Sequence, residues 1–235
     1  MAWRCLHFVT GEFKPQHIFL PDDEYGRALD TLVKATSDVM IMSGGGKRVF
    51  LGKRVVDPQP DWWFIGGRAR PGESTQEAAA RNVEREIGLR RPPDNFMVVT
   101  HFSMVWQKRA QPPADNGTAD ITTVHCLELP TEELDGVTLD RKEYSECKWF
   151  DVDSVLVGEF HPVLKQALRD ARAKLAFQEL EALVKQSASE ADVARAASAL
   201  VHASDLEPTL KGSLAVKVDF KDGRYNLLPL EVMSE

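Results

Sequence analysis

The chain has 235 residues, 43% hydrophobic and 28% charged, with a formal net charge of −7 at pH 7. The hydrophobic fraction is enough for a folded core, and the negative charge excludes bulk binding to a nucleic-acid backbone. The cysteines are odd in number and widely spaced, without a zinc or disulfide pattern, so we expect free thiols. Without a long apolar run or a signal-peptide pattern, we expect a cytoplasmic protein that does not enter a membrane.

Changes in composition and in the pattern of apolar residues divide the chain into three parts. We interpret residues 1–34 as an adapter, residues 35–158 as the main domain and residues 159–235 as a mostly helical extension. Pro21 and the acids after it predict a helix over about residues 22–35. The run HFVTGEF ahead of it is a strand candidate.

Two apolar runs open the main domain. VMIM and VFLGKR are separated by glycines, which predicts a hairpin, and Arg54 ends its second strand. A proline-containing loop then leads to a strand-like aromatic run, Trp62 to Ile65. The glycines Gly66 and Gly67 follow, where the backbone turns or approaches another group closely.

A short helix follows the glycines. Ser74 or Thr75 is its expected N-cap and Gly88 its C-cap. Glu73 and Arg81 are spaced for an ion pair that fixes the preceding loop against the helix. Further along the helix, an acid directed at a strand carbonyl would offer oxygen ligands suited to Mg²⁺.

The remainder of the chain alternates strands, loops and helices. Residues 96–107 and the run ITTVHCLEL predict strands around a polar loop, residues 108–120, which is either a substrate lid or disordered. YSECKWFDVDSVL predicts a strand and then a short turn or helix. The extension predicts amphipathic helices and a terminal hairpin around Asp222 and Gly223. We interpret it as a docking, oligomerisation or accessory element.

The stretch from Gly67 to Leu89 resembles the signature of the Nudix hydrolases. Gly67, Glu73, Arg81, Glu86 and Gly88 match it at fixed spacing, as do two hydrophobic positions, which makes the signal specific. Two positions depart from it, because Asn82 and Arg85 stand where the family has glutamates. The resemblance implies an α/β/α sandwich with a mixed β-sheet.

Over residues 19–152 the chain is most similar to the GDP-mannose mannosyl hydrolase branch, which shares LGKR, WWF-x-GGR, VWQ and GT-x-D-x-TT elements. This branch also lacks the two glutamates. It implies a nucleoside diphosphate sugar as substrate, one Mg²⁺ (with Mn²⁺ as an alternative), attack at the sugar C1 carbon and a homodimer. One cation is enough to stabilise a leaving diphosphate.

The resemblance also implies roles for individual residues. The Gly66 carbonyl, Glu86 and Glu143 become the metal ligands. Glu86, Glu143 and Tyr144 become the catalytic set, with Glu143 and Tyr144 in the place of a family Gln-His pair. Since the ordinary pKa of tyrosine is about 10, other candidates for the general base are Asp140, Glu146 and His125.

Substrate contacts are implied in the same way. Arg54 and Arg68 would bind the diphosphate, because guanidinium groups pair with phosphate oxygens. Trp63 would stack on a base or sugar, with a core role as the alternative. Lys108 replaces a family histidine, and Asp120 would contact sugar hydroxyls.

Three functions follow as hypotheses: a nucleoside diphosphate sugar hydrolase, a pyrophosphohydrolase of another nucleoside diphosphate derivative, and a nucleotide-sensing domain without turnover. Arg85 bears on all three. It lies about 100° around the helix from Glu86, so it need not occupy the metal position itself. Its charge limits the site to one metal.

Overall fold

A computed structural model describes residues 5–16, 18–210 and 212–230. The chain forms two compact units, Met1–Phe150 and Asp151–Glu235. The helices are α1 (Asp22–Leu29), α2 (Thr75–Ile87), α3 (Val152–Val157), α4 (Pro162–Lys185) and α5 (Glu190–Ala203). The strands are β1 (Lys34–Ser43), β2 (Arg48–Arg54), β3 (Trp62–Trp63), β4 (Ile65–Arg68), β5 (Met97–Trp106), β6 (Thr118–Glu128), β7 (Tyr144–Asp151), β8 (Val216–Lys221) and β9 (Arg224–Pro229).

The first unit is built on a mixed sheet of seven strands in which β1 is central. One edge of β1 pairs in parallel with β6 over residues 34–42. The other edge is shared by two antiparallel partners: β4 pairs with residues 36–39 and β2 with residues 41–43. This division places the glycines of β4 directly beside the polar first half of β1.

Helix α2 has strong sequence signals at both ends. The Ser74 side chain accepts from the backbone N–H of Glu77, and Glu77 accepts from the Ser74 N–H, which completes a capping box. Gly88 ends the helix in the left-handed conformation, with φ of 72°. Both predicted caps are therefore confirmed, and they fix where the helix begins beside the strands.

The core of the first unit lies between the sheet and α2. Its members are the buried apolar residues of β1, β2, β4, β6 and α2 with parts of the following loops, among them Val39, Ile41, Phe50, Ile65, Ala79, Val83 and Leu127. Each fully buried large aliphatic or aromatic side chain contributes about 1.5–3 kcal/mol to folding. The predicted fold class is confirmed, with a mixed sheet and a mostly helical C-terminal region.

Some predicted boundaries were wrong. Helix α1 ends at Leu29 instead of residue 35, because Lys34 already pairs with Asp120 at the start of β1. Residues 7–13 have no regular secondary structure. The chain divides into its two compact units between Phe150 and Asp151, and the predicted main domain of residues 35–158 stays a prediction. The three cysteines are free thiols, as predicted.

The loop between β5 and β6 is held in place by Arg109, whose side chain is only 2% exposed. Its guanidinium pairs with Asp30 at 2.7 Å and donates to the carbonyls of Gly117 and Gln111 at 2.9 and 3.1 Å. Gly26 of α1 lies so close that a Cβ there would be 1.9 Å from the Pro112 oxygen. These contacts anchor the loop to α1.

The second unit contains α3, α4, α5 and the β8–β9 hairpin. Helices α4 and α5 pack against each other, and Ser189 caps α5 by accepting from the Asp192 N–H, as predicted. Asp222 and Gly223 join the hairpin with φ of 54° and 74°, the two left-handed positions of a type I′ turn. Among the described residues, none of the helices is long and apolar enough to cross a bilayer.

Replacing Arg109 tests what fixes this loop. Arg109→Leu removes the buried guanidinium and leaves the carbonyls it serves without a donor, so we expect a loss of about 3 kcal/mol in the free energy of unfolding. Urea denaturation measures it. The control is Arg90→Leu, since Arg90 is 86% exposed and lies 3.6 Å from Glu84. Equal losses in the two variants would contradict the assigned role.

Candidate active site

A pocket of about 230 Å³ opens beside β1, β4 and β6 in the first unit. Aromatic rings, two threonines and the glycines of β4 form part of its wall. The charged residues that line it are the cations Lys34, Arg54, Arg68 and Arg85 and the acids Asp38, Asp120 and Glu143. The pocket therefore combines a cationic lining with carboxyl groups that can accept protons or hydroxyl hydrogen bonds.

Asp38 is the most perturbed acid of this pocket. Burial raises its pKa to about 7, although a hydrogen bond from Trp63 and the charge of Arg54 act in the opposite direction. The Trp63 indole donates to Asp38 Oδ2 at 3.1 Å. A Cβ on Gly66 would lie 2.5 Å from Asp38 Oδ1 and 2.6 Å from the Ser37 oxygen. Glycine at position 66 is therefore what allows this carboxyl to fit between the strands.

Asp120 lies on β6 in the same pocket and is held from two sides. Lys34 pairs with its Oδ1 at 2.8 Å, and the Trp106 indole donates to its Oδ2 at 2.8 Å. Beside it, the hydroxyls of Thr36 and Thr122 share a hydrogen bond of 2.6 Å. This wall presents hydroxyl and carboxylate oxygens, which suits a polar, uncharged group such as a sugar.

An ion pair fixes the loop between β4 and α2, as predicted. Arg81 Nε and Nη2 contact the two carboxylate oxygens of Glu73 at 2.6 and 2.8 Å, and Nη2 also donates to the Arg68 carbonyl at 3.0 Å. Burial raises the pKa of Glu73, but the hydrogen bonds from Arg81 and the Arg70 backbone, together with the charges of both arginines, hold it below its ordinary value. Asn82 is fully buried and donates to the Gly67 carbonyl at 2.9 Å. These contacts are structural and join the helix to the glycine strand.

Arg54 and Arg68, the predicted diphosphate ligands, both line the pocket. Arg68 is exposed, and its guanidinium lies 4.9 Å from the ring centre of Tyr25. Arg54 acts electrostatically on Asp38, Glu86 and Tyr144, whose pKa values its charge lowers. Its Nε is buried and has no hydrogen-bond partner among the described residues. A buried donor of this kind is suited to an anionic ligand.

Arg85 occupies the position that the resemblance assigns to the metal. Its Nη2 donates to the Gly66 carbonyl at 3.3 Å and also pairs with Glu86 Oε1. The sequence indicated only that Arg85 need not occupy this position, and the structure places its guanidinium on two of the implied ligands. The angle of about 100° describes where the side chain leaves the helix, but the long arginine side chain folds back over Glu86 to the strand.

The donors implied for Mg²⁺ do not fit an open cation site in this arrangement. Two of the three, the Gly66 carbonyl and Glu86, are already bound to the same guanidinium group. Burial raises the pKa of Glu86, the Arg85 charge lowers it, and neighbouring Glu143 raises it again. Across the described residues, no group of three or more His, Cys, Asp and Glu side chains is placed to hold a metal.

The remaining predicted residues separate into two groups. Glu143, Tyr144 and Trp63 line the pocket, whereas Lys108 is exposed and is not among the lining residues. Burial raises the pKa of Tyr144 well above its ordinary value, and Glu86 and Glu143 raise it further. The Tyr144 phenol is therefore a proton donor at neutral pH.

The alternative bases do not reach the pocket. His125 is fully buried, burial lowers its pKa to about 4, and its Nδ1 lies 3.4 Å from the Asp38 carbonyl oxygen. Its reading as a core histidine fits this position. Asp140 and Glu146 are exposed and are not lining residues.

Sequence reasoning missed Asp38 as a functional candidate. The available signal was an acid inside the run TSDVMIM, since carboxylates are depleted in strands. Lys34 and Tyr25, which also line the pocket, carry no comparable signal. Nothing in the spacing of the chain distinguishes them from surface residues.

The fold is a mixed α/β domain whose pocket is lined by four cationic and three acidic side chains. Residues 33–171 match the model of the NUDIX domain. Because this match covers more than half of the chain, the protein belongs to the NUDIX domain family, and the prediction of a Nudix hydrolase is confirmed. The substrates of this family are nucleoside diphosphate derivatives, as the signature implied.

Solved structures give similar but distant matches. A MutT NUDIX hydrolase from Burkholderia pseudomallei is 19% identical over 59% of this chain and 98% of its own, with a TM-score of 0.46. The Escherichia coli dihydroneopterin triphosphate pyrophosphohydrolase is 21% identical over 59% and 96%, with a TM-score of 0.45. The Caenorhabditis elegans Ap4A hydrolase is 18% identical over 61% and 99%, with a TM-score of 0.42.

Trp63→Phe tests the electrostatics of Asp38. The substitution removes an indole that donates to the carboxylate, and this hydrogen bond favours the charged form. We therefore expect the pKa of Asp38 to rise above about 7, as measured by ¹³C NMR titration of the carboxyl carbon. Trp62→Phe is the control, because Trp62 packs edge-on against Phe150. An unchanged or lower pKa in the Trp63 variant would contradict the assigned hydrogen bond.

Proposed function

We propose that the protein hydrolyses a nucleoside diphosphate sugar, releasing the free sugar and a nucleoside diphosphate. One observation carries this proposal: a buried carboxyl group with a pKa of about 7 shares a pocket with several guanidinium groups. A group with this pKa accepts a proton efficiently at neutral pH. Guanidinium groups bind and neutralise a diphosphate.

The diphosphate would bind at Arg54 and Arg68. Arg54 offers a buried donor without a partner among the described residues, and Arg68 reaches the pocket from the more exposed side. Charge-assisted hydrogen bonds from such groups to phosphate oxygens are about twice as strong as neutral ones. They strengthen as negative charge develops on the departing diphosphate, which is the condition for lowering a barrier.

The sugar would lie against the wall formed by Asp120 and its neighbours. Asp120 is already fixed by Lys34 and Trp106, so it can accept hydroxyl hydrogen bonds without further ordering. The ring of Trp106 lies 5.8 Å from that of Trp63, which gives the pocket an aromatic side. Tyr144 and Glu143 complete the lining and would orient the substrate by hydrogen bonding.

Asp38 would act as the general base. Its carboxylate takes a proton from water, the water oxygen forms a bond to the sugar C1 carbon, and the bond between C1 and the diphosphate oxygen breaks. The electron pair of that bond leaves with the nucleoside diphosphate, whose charge Arg54 and Arg68 neutralise. This assignment supplies the base that the sequence left open. No step requires the donors that Arg85 occupies.

The products and an isotope label test this reaction. Purified protein is incubated with a panel of nucleoside diphosphate sugars in ¹⁸O-water, with and without Mg²⁺, and the products are separated by chromatography. We expect the label in the free sugar, since attack occurs at carbon. Label in a phosphate would place the attack at phosphorus and favour the pyrophosphohydrolase. Binding without any product would contradict turnover.

Asp38→Asn tests the base. The amide has similar size but cannot accept the proton, so we expect kcat to fall at least ~100-fold while substrate still binds. In the unmodified protein, kcat/KM should rise with pH through about 7, because only the deprotonated carboxylate accepts a proton. Activity that is unchanged in Asp38→Asn, or that falls as pH rises through this range, would exclude Asp38 as the base.

The control for this variant is Asp140→Asn. Asp140 is an exposed acid outside the pocket whose side chain accepts from the Lys142 backbone N–H at 2.9 Å. We expect its kcat to stay within about twofold of the unmodified protein, as for surface substitutions in general. The dimer implied by the resemblance stays a prediction, to be measured by sedimentation.

A further inference from the structure

The guanidinium of Arg85, which lines the pocket, bridges two oxygen groups. Its Nη2 donates to the Gly66 carbonyl at 3.3 Å and pairs with Glu86 Oε1. A Cβ on Gly67 would lie 3.1 Å from the same nitrogen. The absence of a side chain at position 67 therefore lets the guanidinium approach the strand closely.

The difference in burial shows that Glu86 needs the charge of Arg85 more than Arg85 needs that of Glu86. The Glu86 side chain is 6% exposed, whereas the Arg85 side chain is 54% exposed. A carboxylate removed from water requires a compensating charge close by. Arg85 can supply it from the solvent side with little loss of its own hydration. Arg85 thus has the electrostatic role that a bound cation would have beside the buried Glu86.

The lining of the pocket is unfavourable for a further cation. Lys34, Arg54, Arg68 and Arg85 face three acids, Asp38, Asp120 and Glu143. Lys34 already neutralises Asp120 at 2.8 Å. Like charges separated by several ångströms repel by about 1–4 kcal/mol at intermediate dielectric. Such a lining attracts anions instead.

We propose that Arg85 is the resident cation of this site: its guanidinium takes the oxygens that the resemblance assigns to Mg²⁺ and supplies positive charge to a bound diphosphate group. A divalent metal is then not required for diphosphate binding. The diphosphate part rests on the proposed function, whereas the competition for Gly66 and Glu86 does not. A guanidinium can bind two phosphate oxygens side by side, which a bound metal would otherwise do.

A titration with Mn²⁺ alone, followed by electron paramagnetic resonance, tests the competition. Arg85→Glu removes the guanidinium and adds a carboxylate beside Glu86, so we expect its Kd for Mn²⁺ to be at least ~10-fold lower than that of the unmodified protein. Arg85→Ala frees the same oxygens without adding one and should lie between the two. Arg90→Glu is the control, since it changes the charge equally on an 86% exposed side chain and should leave the Kd unchanged.

Three results would overturn the proposal. The first is an unmodified protein that binds Mn²⁺ as tightly as Arg85→Glu. The second is an equal gain in Arg85→Glu and Arg90→Glu, which would reflect overall charge alone. The third is a gain in Arg85→Glu that persists when Glu86→Gln is added, because the new site would then not use the buried carboxylate. Urea unfolding confirms that each variant is folded before titration.

Calorimetry with inorganic pyrophosphate in EDTA tests whether Arg85 supplies positive charge to a bound diphosphate. We expect binding without metal and a loss of at least ~10-fold in Arg85→Ala, because hydrogen bonds between charged groups are the stronger ones. Pyrophosphate binding that requires Mg²⁺ would overturn the proposal. If pyrophosphate does not bind with or without Mg²⁺, the diphosphate site of the proposed function fails as well. The Mn²⁺ titration then still decides, separately, whether Arg85 blocks cation binding at the Gly66 carbonyl and Glu86.

Discussion

The close approach of β4 to the first half of β1 is the constraint on which the site depends. At Gly66 there is room for a hydrogen but not for a methyl group, since a Cβ would lie 2.6 Å from the Ser37 oxygen and 2.5 Å from Asp38 Oδ1. This contact buries the Asp38 carboxyl and raises its pKa to about 7. It also turns the Gly66 carbonyl towards α2. One glycine thus positions both the proposed base and the oxygen that Arg85 binds.

Helix α2 is the second element on which the geometry of the site depends. Its capping box and the Arg81–Glu73 pair fix its first turns against the loop, and Asn82 joins its middle to the Gly67 carbonyl. A carboxylate at position 82 could not donate to that carbonyl, whereas the amide does. The departures from the family signature are therefore not passive losses. Asn82 and Arg85 both donate hydrogen bonds to backbone oxygens, which ionised glutamates at these positions could not do.

The sequence was sufficient for the elements of the domain but not for its electrostatics. The caps of α2 and the Glu73–Arg81 pair follow from local spacing, and local rules are reliable because they involve residues within a few turns of one another. Asp38 and Trp63 meet only through the sheet, 25 residues apart in the chain. Arg109 reaches Asp30 across 79 residues. Contacts of this kind depend on tertiary packing, which spacing along a single sequence does not encode.

The direction of the Arg85 side chain likewise could not be predicted from sequence spacing, although its partner Glu86 is the next residue. Helical geometry gives the direction in which Cβ leaves the axis, but an arginine has enough rotatable bonds to place its guanidinium well away from that direction. What decides its position is the buried carboxylate of Glu86 and the nearby Gly66 carbonyl. A positive charge held covalently at this point does not depend on the concentration of free cation.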